Sequence, residues 1–387
     1  MFSSRTRWDL TPNQLTRLLQ EKRKNGEVVL DLTESNPTRC GFDYRFEPAV
    51  DLWAIDRSQV YEPDPRGLSN ARRALVDFYR RNGTEVDAEQ IILTSGTSDA
   101  YAYLFRLLCN VGDSVLVPKP GYPLLDDLCR LNDVTPRHYS LEYDGDWHID
   151  LQALETKLAS DTKAVVLVHP NNPTGSFIKG SERREIETLA RERGLALIVD
   201  EVFHSFAFES DDTRAASFAD SAKSLTFTLN GLSKLRGLPQ MKLAWIVVSG
   251  PEAERQEALR RLEMIADLHL SVATPIQHAL PALLENCSSI SRQILDRTTS
   301  NVRFLQSICN HSSPLSLFRC EGGWNGMLRL PNTRTDEEWA IELLRLANLL
   351  VHPGHLFDIE LPSCMVVSLL PNTELFREGC SRILKAI

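Results

Sequence analysis

No uninterrupted apolar run in this chain approaches the roughly 18 residues that a membrane-spanning helix needs, so no transmembrane anchor is expected. Positive charge is also in short supply. Lys and Arg total 43 against 52 Asp and Glu, a formal net charge of −9, which argues against nucleic acid or an anionic membrane surface as the main partner. An anion bound here must be held by local groups. The eight cysteines (Cys40, Cys109, Cys129, Cys287, Cys309, Cys320, Cys364 and Cys380) include no CxxC pair and no Cys/His cluster at metal-ligand spacing. They read as buried reduced thiols, neither a disulfide frame nor a metal site. His352 and His355 form the one close histidine pair and have no carboxylate company, so they read as a turn and no metal is expected. The opening residues from Met1 to Gln14 lack the apolar core of a signal peptide, and a cytoplasmic location is expected.

What the chain does have is size and alternation. With 387 residues, 42% hydrophobic and 25% charged, it has ordinary globular composition and room for two to three domains at roughly 100–200 residues each. Short β-branched runs alternate with longer helical patterns, which predicts an α/β fold with a mostly parallel sheet between helices. The strand candidates are Ile91 to Thr94, Ser114 to Val117, Ala164 to Val168, Leu195 to Val199, Leu225 to Thr228 and Ala244 to Val248. Helical segments run from Ser98 to Cys109 and from Ser181 to Arg193, the second with Gly194 as its stop. From about Pro275 the pattern changes to longer helices, with Ile290 to Cys309 the longest, then a small αβ set through Met365 and a final helix. That change suggests a second, smaller domain.

In open α/β sheets ligands sit beyond the carboxyl ends of the strands, and four such ends carry chemistry. Thr94-Ser95-Gly96-Thr97-Ser98 is a small-residue turn opening a helix, suited to a phosphate or to an ordinary cap. Pro170-Asn171-Asn172-Pro173 fixes a loop that aims an amide side chain. Asp200-Glu201 puts an acid pair at the sheet edge, able to hold a positive heterocyclic nitrogen or to act as a cap or ion pair. Ser233-Lys234 supplies a lysine able to form a Schiff base if its surroundings make it less basic. Each feature alone has a bland explanation; the ordered series does not.

With Ser35-Asn36-Pro37-Thr38, Tyr61, Pro65-Arg66-Gly67, Pro120-Gly121-Tyr122-Pro123, Thr274-Pro275-Ile276-Gln277 and Glu321-Gly322-Gly323-Trp324 added, the chain resembles the class I/II aminotransferases among the fold-type I pyridoxal-phosphate enzymes over nearly its whole length. The resemblance implies a large domain over 45–285 with a seven-stranded, mostly parallel sheet, and a smaller α/β domain built from 1–44 with 286–387. It implies pyridoxal 5′-phosphate as cofactor and transfer of an amino group between an amino acid (or amine) and a 2-oxo acid through an internal aldimine at Lys234. It further implies that Asp200 pairs with the pyridinium nitrogen, Asn172 bonds the ring 3-oxygen, Tyr122 stacks on the ring, and Gly96, Thr97 and Ser98 hold the phosphate. Phe203, Ser233 and Lys242 would also line the cofactor, Asn36, Arg39 and Trp324 the substrate. Tyr61 would reach the partner subunit's site, which implies a homodimer.

Three positions depart from the family pattern. Phe203 stands where a tyrosine commonly bonds the 3-oxygen, and Lys242 where an arginine commonly binds the phosphate, with Arg236 a possible helper or a solvated side chain. Val366 stands where an arginine clamps the substrate carboxylate, leaving Arg39, Arg319 and Arg329 as replacements or a substrate that is not a simple α-amino acid. Two other readings therefore stay open: a pyridoxal-phosphate-dependent C–S β-lyase, and a degenerate cofactor-binding protein with little transaminase activity.

Overall fold

The computed structural model describes residues 1–45, 51, 55, 58–309 and 313–387. The chain opens with helix α1 (Gln14–Lys24), started by the Asn13 side chain accepting from the Thr16 amide at 2.8 Å, and the short strand β1 (Leu30–Asp31). Helix α2 (Ser69–Arg81) then leads into the strands of the main sheet. These are β2 (Ile91–Thr94), β3 (Ser114–Lys119), β4 (Thr135–Tyr143), β5 (Trp147–Ile149), β6 (Thr162–Val168), β7 (Ala196–Asp200), β8 (Thr226–Gly231) and β9 (Ala244–Ser249). Their spatial order is β2-β9-β8-β7-β6-β3-β4-β5. β9 is antiparallel to both neighbours and β5 to β4, while the β8-β7-β6-β3-β4 run is parallel. The sheet thus has eight strands rather than the expected seven, because the short edge strand β5 adds to it.

The helices on its faces follow from the sequence. α3 (Thr97–Leu108) buries Ala100, Tyr101, Leu104 and Phe105, the i, i+3, i+4 stripe that a helix on a sheet requires. α4 (Leu125–Leu131) and α5 (Leu151–Thr156) are short; α6 (Gly180–Arg193) ends at Gly194, whose φ of 63° is the left-handed stop predicted for it. The central parallel strands β6 and β7 are buried on both faces, as their near-continuous Val, Ile and Leu content demands.

After the single turn α7 (Leu232–Leu235) and helix α8 (Glu252–His269), helices α9 (Thr274–Asn286) and α10 (Ser288–Ile308) carry the chain to a second sheet. That sheet joins β10 (Ser316–Leu317), β11 (Asn325–Arg329), β13 (His352–Pro353) and β14 (Cys364–Ser368) in the order β10-β11-β14-β13. Between them lie α11 (Asp336–Ala347) and β12 (Leu349–Leu350), which pairs with β1; α12 (Thr373–Ala386) closes the chain. Leu15 and Leu32 share one core with Leu305, Trp339, Phe376 and Ile383, so the N-terminal segment packs on the C-terminal part. All eight cysteines are free thiols, six of them buried. Among the described residues no group of three or more His, Cys, Asp or Glu could hold a metal, and no helix is long and apolar enough to cross a membrane.

Candidate active site

The carboxyl ends of β2, β6, β7 and β8 open on one cavity of about 360 Å³. Its lining brings together Gly96, Thr97, Ser98, Tyr122, Asn172, Asp200, Phe203, Ser233, Lys234, Lys242 and Trp324, eleven residues that the sequence singles out from across the chain. Asn36, Arg39 and Tyr61 are not in that lining. The Asn36 side chain caps its own short turn, accepting from the Thr38 amide at 3.1 Å; Arg39 is exposed, and Tyr61 is 74% exposed.

At one end of the cavity α3 begins at Gly96 with no side chain capping it, so its first-turn amides are available to an anion. Lys242, held at a φ of 50°, adds a cation to the same cavity. Arg236, by contrast, turns away: its guanidinium donates to the Leu284 carbonyl at 2.7 Å and to Ser291 Oγ at 3.2 Å, capping the end of α9. Burial pushes that guanidinium down to about 10.

At the other end Asp200, the last residue of β7, is 9% exposed. Its Oδ1 accepts from the Val202 amide at 3.0 Å and its Oδ2 from the Tyr101 hydroxyl at 3.2 Å. Burial lifts its carboxyl to about 6, against the pull of those donors and of the Lys234 ammonium. Lys234 moves the opposite way: burial lowers its basicity, Lys242 works in the same direction, and Asp200 opposes both. The two groups that depend on each other are each made less fully charged by the same enclosed space.

The turn carrying Lys234 is set by close backbone approach. A Cβ on Gly231 would meet Ala244 Cβ at 2.8 Å across the β8–β9 pair, so only glycine fits there. Asn230 accepts from the Gly231 amide at 2.8 Å and donates to the Glu201 carbonyl at 3.2 Å, locking this turn to the end of β7. In the loop after β6 the two asparagines divide their work. Asn171 is buried and structural, its Oδ1 accepting from Thr174 Oγ1 at 3.0 Å, whereas Asn172 lines the cavity. Trp324 is 4% exposed, sits edge-on to Phe203 and Phe206 at 5.3 Å each, and has the Lys234 ammonium 5.4 Å from its ring.

Sequence reasoning missed Ser35, Tyr101 and Asn325 as lining residues. Tyr101 occupies a core position of α3 and Asn325 opens β11, so neither carries a signal of its own. No arginine lines the cavity among the described residues: Arg319 pairs with Asp146 at 2.8 Å and Arg329 lies at the exposed end of β11. Val366 is fully buried in the core between the two sheets and is not in the lining either.

A buried carboxylate, a lysine of lowered basicity and an uncapped helix start around one cavity form the donor set that a phosphorylated, aldehyde-bearing pyridine ring requires, so these residues fit pyridoxal 5′-phosphate. With the fold, they define a fold-type I pyridoxal-phosphate-dependent enzyme. The chain belongs to the family described as aminotransferase class I and II, whose profile matches residues 57–383. It is 34% identical over 274 residues to the glutamate–pyruvate aminotransferase AlaA of Escherichia coli, covering 70% of this chain and 67% of that one. It is 29% identical over 356 residues to an alanine aminotransferase of Mycobacterium tuberculosis, covering 89% and 82%. Among solved structures, an aminotransferase from Escherichia coli superimposes with a TM-score of 0.85 at 27% identity over 100% of this chain and 97% of its own. The chain is accordingly a pyridoxal-phosphate-dependent aminotransferase acting on an amino acid and a 2-oxo acid.

Proposed function

We propose that the transfer takes place in the cavity around Lys234, with Lys234 as the residue that attaches the cofactor and moves the substrate's α-proton. The convergence of Lys234, Asp200 and the uncapped start of α3 on one cavity carries this reading. Bound there, the cofactor supplies the electron sink that stabilises the carbanion left when the α-proton departs. Lys234 Nζ, less basic than a surface lysine, is suited first to act as a nucleophile and then to carry that proton. Asp200 would hold the proton on the ring nitrogen, and the amides of Thr97 and Ser98 with Lys242 would hold the phosphate. Asn172 would donate to the ring oxygen, Tyr122 and Phe203 would enclose the ring with Ser233, and Trp324 would bound the substrate.

The same reading makes the protein a cytoplasmic homodimer, with Tyr61 reaching the partner's cavity. Its support is that Tyr61 is largely exposed and outside its own chain's cavity lining. Light scattering on the purified protein tests the dimer. The relatives' names put alanine and glutamate first among donors to try. Purified protein should show a visible absorption band that Lys234→Ala abolishes, and the band should bleach on adding a donor without an acceptor. A band unchanged in Lys234→Ala rejects the lysine; pyruvate and ammonia formed without an acceptor would indicate elimination instead of transfer.

A further inference from the structure

Tyr101 belongs to none of the motifs that mark the cavity, yet among the described residues it makes the one side-chain hydrogen bond to Asp200. It lies in the second turn of α3, is 3% exposed, and its ring is set among apolar neighbours, tilted against Phe105 at 5.9 Å. A phenylalanine would fill that space equally well. The hydroxyl is the part that packing does not explain, since a buried O–H is costly unless it finds an acceptor. The acceptor it finds is Asp200 Oδ2, at 3.2 Å, while the Val202 amide occupies Oδ1 at 3.0 Å. The carboxylate is therefore gripped from α3 on one oxygen and from its own following turn on the other.

We propose that Tyr101 is a positioning residue for Asp200: its hydroxyl fixes the carboxylate's orientation and favours the ionised form, so that the cavity is ready to receive a protonated ring nitrogen. This rests on the assignment of Asp200 to that nitrogen made above. The hydroxyl does not substitute for the donor missing at Phe203, because it is spent on the carboxylate. The ionisable groups that act on Asp200 are Tyr101 from α3, Lys234 from α7, Glu201 next in the chain and Tyr122 before α4. Burial raises the Asp200 carboxyl and Glu201 adds to this; the hydrogen bonds from Val202 and Tyr101 and the charge of Lys234 work against it. Tyr101 itself is held well above its ordinary value of 10 by burial and by Asp200, so it remains a donor through the neutral range.

The test is the affinity of the full-length, cofactor-stripped protein for pyridoxal 5′-phosphate, followed by tryptophan fluorescence between pH 5 and 9. In the native sequence affinity should fall as Asp200 takes up its proton. Tyr101→Phe keeps the ring and removes the donor, so that fall should move upward by about half to one pH unit. At pH 5 binding should weaken about three- to tenfold, at pH 7 by less than about twofold, with little change at pH 9. Ionisation of Lys234 and of the phosphate is common to both proteins, so the difference between the curves reports Asp200. In an Asp200→Asn background, Tyr101→Phe should leave the pH curve unmoved. Coincident curves for native and Tyr101→Phe protein, or a uniform weakening at every pH, would overturn the proposal while leaving the cofactor site standing. No binding by the native protein would overturn both.

Discussion

Asn325 Nδ2 donates to Asn172 Oδ1 across 2.7 Å, which decides which end of the Asn172 amide is free. With its oxygen engaged, Asn172 has its NH₂ group left to offer to the cavity. Asn325 opens β11 opposite Ser368 of β14, so an element of the second sheet orients a side chain of the loop that follows β6.

Asn325→Ala should therefore weaken pyridoxal 5′-phosphate binding by about 1 kcal/mol, or about fivefold, through loss of one hydrogen bond to an orienting partner. Asn325→Asp should cost more, because it sets an acceptor against an acceptor and makes Asn172 turn its oxygen toward the cavity. Titration of the stripped protein with cofactor measures both. Native affinity in Asn325→Asp would mean that the NH₂ end of Asn172 is not used.

Asp200 also costs the stripped protein stability. Its carboxyl is raised to about 6 from an ordinary 3.8, so the folded state holds the proton more tightly than the unfolded chain does. The stability from that proton is fully present below about pH 4, is lost as pH rises through 6, and leaves a penalty of about 3 kcal/mol above it. Asp200→Asn should make the stripped protein more stable than the native one at pH 8, and the gap should close as pH falls toward 4.5. Melting curves at the two pH values check this; a gap of equal size at both would show that the carboxyl is not what the fold opposes.

Glu321 ties the Trp324 segment to the loops that follow β6 and β7. Its side chain is 2% exposed, with Oε1 accepting from Lys179 Nζ at 2.6 Å and Arg214 Nε at 3.2 Å, and Oε2 from the Phe177 amide at 3.0 Å. Glu321→Ala should destabilise the protein by about 3 kcal/mol, toward the low side for a broken buried pair because Asp211 remains near both cations. Chemical denaturation measures the loss. Since the same segment brings Trp324 and Asn325 to the cavity, cofactor affinity should drop along with stability; an intact affinity would mean that Glu321 is not what positions them.

Much of this could be read beforehand, for reasons specific to each element. The six strand candidates coincide with β2, β3, β6, β7, β8 and β9 to within a few residues, because strands buried on both faces must be continuous apolar runs. β4 escaped because Thr135-Pro136-Arg137-His138 is polar, half-exposed and carries a proline, and β5 because three residues hold no period. In the site, residues at strand ends announced themselves by chemistry. Tyr101 did not, since it repeats the apolar stripe of α3, nor did Asn325, whose meaning comes only from the amide facing it. Asn171 and Asn172 were indistinguishable until the loop's own hydrogen bonds claimed the first.

Val366 offers the sharpest contrast between family pattern and this fold. At the position where the resemblance expects an arginine, its side chain is fully buried, paired with Met327 and His352 across β14 and packed in a core with Phe357 and Ile359. Val366→Arg would drive a guanidinium into that core, against Met327, Phe357 and Ile359 with no carboxylate among the neighbours named, and should cost several kcal/mol. Val366→Met, which adds volume without charge, should cost about 1–3 kcal/mol through overpacking. The expected result is therefore a poorly folded arginine variant with no gain in kcat/KM for any α-amino acid, alongside a folded methionine variant of near-native activity. An arginine variant that melts like the native protein and uses α-amino acids better would show instead that this strand can turn its side chain into the cavity.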